Sequence, residues 1–177
     1  EDRRWVYPQP YGWGDLIVPE AFSHPAKFAR GLIYRIIRTG IERGWWTPGV
    51  THLVDPFAGV ALGGLAAAAA GLAWTGVELE ERFVALGQAN IDLHRADYDH
   101  MGYPVPRIIQ GDSRRLAEIL AGVGIGGGVT SPPFGDSLMR RGDIHIPITQ
   151  QWMRQGSTNI TEGGYGSTPG QLGAMPE

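Results

Sequence analysis

At 177 residues and 42% hydrophobic, the chain is long enough for one domain with a real core and short for two. Its 15 basic and 18 acidic side chains leave a net charge of −3, which is not the basic excess of a dedicated duplex-binding domain. Without cysteine there are no disulfides, thiolate metal sites or cysteine nucleophiles, and the five histidines (His24, His52, His94, His100, His145) lack ligand spacing, so no metal is expected.

No apolar run approaches the roughly 18 residues that cross a bilayer, and Glu1 to Trp5 lacks a signal peptide's apolar core; a soluble, cytoplasmic protein with no membrane partner is expected. Fourteen of the 15 basic residues are arginine, and Arg114, Arg115, Arg140, Arg141 and Arg154 fall in the second half. They suit either phosphate contacts or an ordinary solvated face.

Residues 1–22, rich in Trp, Tyr, Pro and Gly, show no sustained period and predict irregular structure anchored by Trp5, Tyr7, Tyr11 and Trp13. From Pro25 to Arg43, Phe28, Leu32, Ile33, Ile36, Ile37 and Ile41 recur at helical spacing, with Ser23 or His24 as cap. His52 to Asp55 reads as a short buried strand closing in the turn Pro56-Phe57-Ala58-Gly59, followed by an alanine-rich helix over about 62–71. A second strand over 73–79 leads to a helix over about 80–95 that buries Phe83, Leu86 and Ile91. A third strand over 107–110, a helix over 113–121 and a fourth strand over 127–130 complete the pattern. Strands alternating with helices predict an α/β fold, a doubly wound parallel sheet covered on both faces.

Beyond Gly135 neither period persists, and residues 137–177 are a Gly/Ser/Thr/Pro-rich tail or insertion. A sheet that stops after its fourth strand leaves an edge unpaired. The sheet is therefore expected to be truncated, with the remaining strands and any recognition module supplied by a further C-terminal region or a partner chain.

Ligands of open parallel sheets bind at the carboxyl ends of the strands, and the four strands end on chemically useful residues: Asp55, Glu78, Asp112 and Ser131. A glycine turn followed about twenty residues later by an acid suits a nucleoside cofactor, the glycine permitting close approach and the carboxylate accepting both ribose hydroxyls. The alternative for Glu78 is an exposed glutamate at a helix start. A dinucleotide's pyrophosphate needs several glycines and no competing carboxylate, whereas this turn contains Asp55 and lacks the full G-x-G-x-x-G pattern. A cofactor without phosphate and with a cationic sulfonium suits an acidic turn better.

Ser131-Pro132-Pro133-Phe134 is the most informative stretch. Adjacent prolines end a strand and hold the backbone rigid, so the Ser131 side chain and the Pro132 carbonyl become fixed acceptors. An exocyclic base amine is a poor nucleophile, and acceptors aimed at its hydrogens favour the attacking form as positive charge develops. Phe134 would stack on a base flipped from the duplex, a contact worth about 1 to 3 kcal/mol. The alternative is a tight turn with a core phenylalanine.

These residues resemble the DNA amino-methyltransferases acting on cytosine N4 or adenine N6, of the phage-like or actinobacterial type. The resemblance covers residues 23–136, and implies the class I methyltransferase (Rossmann-like) fold, S-adenosyl-L-methionine as cofactor, DNA as partner and roles in DNA methylation such as restriction-modification. Asp55-Pro56-Phe57-Ala58-Gly59 is similar to the family's first motif, Glu78 with Leu79 to its ribose-binding segment, and Asp112-Ser113 to the segment beside the cofactor's adenine. Thr130-Ser131-Pro132-Pro133-Phe134 is similar to the catalytic motif. His24-Pro25-Ala26-Lys27-Phe28 resembles the segment over the methionine end, which implies cofactor contacts from His24, Lys27 and Phe28. Ala61 stands where the first motif usually has its second glycine, and serine at 131 leans toward cytosine N4. Tyr165 to Gly173 looks like a low-complexity insertion of such relatives. An RNA or protein amine as substrate, or a non-catalytic module of the same fold, are the alternative functions.

Overall fold

A computed structural model of the chain describes residues 12–132, 166 and 168–171. Four strands, β1 (His52–Asp55), β2 (Ala73–Glu78), β3 (Arg107–Gln110) and β4 (Gly127–Gly128), form one all-parallel sheet in the order β3-β2-β1-β4. The helices are α1 (Arg30–Glu42), α2 (Leu62–Ala68), α3 (Glu81–Leu93), α4 (Arg95–Met101) and α5 (Leu116–Ile119). The chain builds outward from β1 through β2 to β3, then returns to lay β4 on the other side of β1. The direction of winding thus reverses between β1 and β4, which makes a crevice at their carboxyl ends. The fold is α/β with an all-parallel sheet, an arrangement compatible with a Rossmann-like fold, and among the described residues no helix is long and apolar enough to cross a membrane.

Both inner strands are buried on both faces, as central parallel strands are when helices cover them: five of the six β2 residues and three of the four β1 residues are buried. The register pairs Asp55 with Gly76 and Glu78 with Gln110, so the strands' carboxyl ends lie along one rim. Ile33 and Ile37 of α1, one helical turn apart, enter the core beside the wholly buried α2. Burying each such side chain stabilises by about 1.5 to 3 kcal/mol. Trp74 packs against the backbone of Gly63 and Gly64 in α2, while Ile119 of α5 and Val77 both close on Gly111. Trp74 and Val77 differ by an odd number of positions and point to opposite faces, so helices cover both sides of β2.

The strands β1 and β3 occupy the predicted residues; several helices do not. The first begins at Arg30 rather than Pro25 because side-chain contacts hold residues 25–29 out of a helix. Trp13 Nε1 donates to the Phe28 carbonyl at 2.8 Å, Lys27 Nζ to the carbonyls of Phe22 (3.0 Å) and His24, and the His24 ring bonds the Ala26 carbonyl. The helix predicted over 80–95 is two, breaking at His94, after which α4 brings Tyr98 into the core. The helix predicted over 113–121 is a 3-10 turn (Ser113–Arg115) followed by the single turn of α5. Residues 12–22 contribute to the core through Trp13, Ile17 and Ala21, with short 3-10 turns at Gly14–Leu16 and Pro19–Ser23. Trp5, Tyr7 and Tyr11 lie outside the described residues.

One buried side chain ties this segment to the sheet rim. Asn90 of α3, fully buried, accepts from Val18 N at 2.8 Å and donates to the Val60 carbonyl at 2.9 Å. It satisfies two backbone groups that secondary structure leaves over.

Candidate functional site

The rim of the sheet opens into a cleft of about 780 Å³, including its solvent-open mouth. The turn after β1 contributes Pro56, Phe57, Ala58 and Gly59; the end of β2 contributes Glu78 and Leu79; the end of β3 contributes Asp112 and Ser113. From the segment before α1 come His24, Lys27 and Phe28, and from the exit of β4 comes Ser131. Residues separated by more than a hundred positions are brought together because each follows a strand or precedes the fold on the same rim.

The turn spends its amides internally. Phe57 N donates to Asp55 Oδ1 (3.0 Å), Ala58 N to the Val77 carbonyl (3.0 Å), Gly59 N to Glu78 Oε2 (2.9 Å) and Ala61 N to the Ala58 carbonyl (2.9 Å). A phosphate-binding loop presents such amides outward to the anion, and these four are turned to partners within the chain. Gly59 adopts φ +52°, and a methyl there would sit 3.0 Å from the His24 ring; only glycine meets both demands. Ala61 takes the left-handed conformation (φ 64°) with a fully buried side chain. That conformation costs a non-glycine residue about 1 to 2 kcal/mol.

Glu78 is 9% exposed, not a solvated helix-start glutamate. Gly59 N holds its Oε2, and Glu80 N holds its Oε1 at 2.9 Å. Burial raises its pKa, and these backbone donors partly oppose the rise. Each carboxylate oxygen has more than one acceptor direction, so a carboxylate gripped from behind can still accept a ligand diol from the front.

Asp55 has a different place. It is 1% exposed and stands behind the cleft, outside its lining. Its Oδ1 accepts from Phe57 N and, at 2.7 Å, from the hydroxyl of Thr130. The second bond ties the exit of β4 to the end of β1 and so holds Ser131 beside the turn. Burial pushes the Asp55 carboxyl up to about 6 against both hydrogen bonds.

His24 is buried with its ring edge-on to Phe83, the centroids 4.3 Å apart. Burial, followed by the nearby charges of Lys27 and Arg82, takes its pKa down to about 4 despite the bond to Ala26. The ring is neutral at pH 7, and its Nδ1–H faces the Ala26 carbonyl, the tautomer that this acceptor demands. At the opposite end, Asp112 accepts from Arg114 through backbone and guanidinium, which hold its carboxyl down at about 2.

Of the residues expected to carry chemistry, Pro132 is exposed and off the cleft lining, and Pro133 and Phe134 lie outside the described residues. Among the described residues no group of three His, Asp or Glu side chains is placed to hold a metal ion. The comparisons with family models and with curated proteins found no match.

Four residues that contribute escaped the sequence reading: Asn90 braces the rim, Gly170 and Gln171 of the tail line the cleft, and Glu80 hydrogen-bonds that tail. Thr130, the first residue of the motif resemblance, ties the exit of β4 to Asp55.

Proposed function

We propose that the chain is a class I methyltransferase that binds S-adenosyl-L-methionine in this cleft and methylates an exocyclic base amine of DNA, cytosine N4 or adenine N6, inside the cell. The observation that carries the reading is the pairing, in one cleft, of a nucleoside-suited carboxylate with Ser131 of the Ser-Pro-Pro-Phe segment, over a turn in which the amides of Phe57, Ala58, Gly59 and Ala61 are already bonded within the chain. A nicotinamide or flavin dinucleotide fits that turn poorly.

Bound there, the cofactor supplies an electrophilic methyl on a sulfonium; the amine nitrogen gains a bond to carbon, the carbon–sulfur electrons remain on sulfur, and one amine proton leaves. Glu78 accepts the ribose hydroxyls, and Asp112 and Ser113 flank the adenine. Lys27, whose ammonium spends two bonds on chain carbonyls among the described residues, has a third for the methionine carboxylate. Ser131 and the Pro132 carbonyl accept the amine hydrogens and favour its attacking form, and Phe134 stacks on the flipped base.

A second reading, an RNA or protein amine as substrate, finds support for its protein branch in the electrostatics. The net charge is −3, and near the cleft Arg114 and Arg115 are paired with Asp112 and Glu118 rather than presented to a phosphate backbone.

Calorimetric titration with S-adenosylhomocysteine, with NAD as control, tests the cofactor. Binding that Glu78→Ala weakens by about tenfold or more is expected, that being the value of one charge-assisted hydrogen bond. No binding, or equal binding by the variant, refutes the cofactor reading. Label transfer from the methyl donor to DNA, RNA or protein then separates the substrates, and binding without transfer to any of them marks a non-catalytic module. Phe134→Ala should retain the cofactor and lose turnover; unchanged turnover would rule out stacking.

A further inference from the structure

Part of the wall of the cleft comes from far along the chain. Gly170 and Gln171 line it beside Asp112, although 88 residues separate Glu80 from Thr168, where the tail is anchored. The Glu80 carboxylate, 7% exposed and itself outside the lining, makes that anchor. Its Oε1 accepts from Thr168 N at 3.0 Å and from Gln171 Nε2 at 3.3 Å, and its Oε2 accepts from the Thr168 hydroxyl at 2.9 Å. Gly166 crosses so close to the Glu80 carboxyl that a methyl there would overlap it. Gly170, at φ +97°, leaves only 2.5 Å between the place of a methyl and the Arg114 guanidinium that grips Asp112.

The Glu80 backbone N–H meanwhile donates to Glu78 Oε1. Two alternate residues of one chain segment thus connect the ligand-facing carboxylate to the tail: Glu78 holds the backbone of Glu80, and the Glu80 side chain holds Thr168. Three donors converging on one buried carboxylate form a strong, directional clamp, because charge-assisted hydrogen bonds are the stronger kind and lose little to solvent when shielded.

We infer that Glu80 is a positioning residue of the nucleoside site, clamping Thr168 and Gln171 so that Gly170 and Gln171 close the cleft beside Asp112 and slow the escape of an adenosine ligand. This rests on the cofactor reading above. Glu80 touches no ligand itself; it acts through the tail. The side-chain hydroxyl of Thr168 is the handle it holds. An adenosine ligand leaves the cleft past this wall, so release, more than entry, depends on the clamp.

The test is stopped-flow and calorimetric binding of S-adenosylhomocysteine and 5′-methylthioadenosine to the whole chain, comparing wild type with Glu80→Gln, Thr168→Val and Thr168→Ser. Thr168→Val and Glu80→Gln should each speed dissociation of both ligands about tenfold with association little changed, and together they should do no more than the larger single effect. Thr168→Ser, which keeps the hydroxyl, should restore wild-type release. Equal release from Thr168→Val and wild type overturns the clamp alone and leaves the cofactor reading standing. Release from Thr168→Ser as fast as from Thr168→Val also overturns it, since the hydroxyl would then not be the handle. Failure of the wild-type chain to bind either ligand overturns both readings.

Discussion

Replacing Asp55 with asparagine should change the protein's stability by an amount that depends on pH. In the folded chain burial raises the Asp55 carboxyl from 3.8 to about 6. Between those values the folded state holds a proton that the unfolded state has released. The group therefore contributes stability that is fully present below pH 3.8 and is lost as pH rises through about 6. The shift corresponds to about 3 kcal/mol in full, of which roughly 2 kcal/mol falls between pH 4 and 7. His24 opposes it. Its depressed pKa, about 4 against 6.5, contributes stability that is present above 6.5 and lost as pH falls through 4. The wild-type profile across this range should thus be shallow, while Asp55→Asn, which keeps the oxygen that Phe57 N and Thr130 need, should grow more stable as pH rises. Urea unfolding followed by tryptophan fluorescence at pH 4 and 7 gives the difference between variant and wild type, and that difference should move by about 2 kcal/mol in favour of asparagine. The same offset at both pH values would refute a buried, destabilised carboxylate at position 55.

Asn90→Ala should cost about 2 to 4 kcal/mol in the same unfolding assay, because the Val18 amide and the Val60 carbonyl lose their partner; a loss below 1 kcal/mol would show that water replaces the side chain. Gly76→Ala should destabilise by roughly 1 to 3 kcal/mol, since the added methyl overlaps the Trp74 ring and Ala58, with unchanged denaturation midpoint as the contrary result. In nitrogen-detected NMR, His24 should stay neutral with its proton on Nδ1 down to about pH 5, whereas titration near 6.5 would place the ring in solvent.

The predicted strands over 52–55 and 107–110 coincide with β1 and β3, because a short apolar run bounded by polar and glycine or proline residues is a local signal, enforced by burial in β1 and by pairing with β2 in β3. The parallel α/β architecture followed from the same alternation. The strand-end residues Glu78, Asp112 and Ser131 were legible as candidates, since in such a sheet every carboxyl end faces one rim. Their convergence on a single cleft depended on the winding reversal beside β1, which the strand order, not the residue pattern, creates.

What only the tertiary structure decided is where the polar groups found partners. Apolar spacing marks which face of a helix is buried, but it does not say that Trp13 and Lys27 capture the carbonyls of Phe28, Phe22 and His24 and so delay the first helix to Arg30. Asp55 and Glu78 look alike as acids closing adjacent strands; one is turned inward to Thr130 and the other to the cleft, a distinction set by packing. The bond from Glu80 to Thr168 spans 88 residues and leaves no periodic trace. Periodicity records burial, which is local to each element, whereas hydrogen-bond partnership is directional and is settled only when elements distant in the chain have docked.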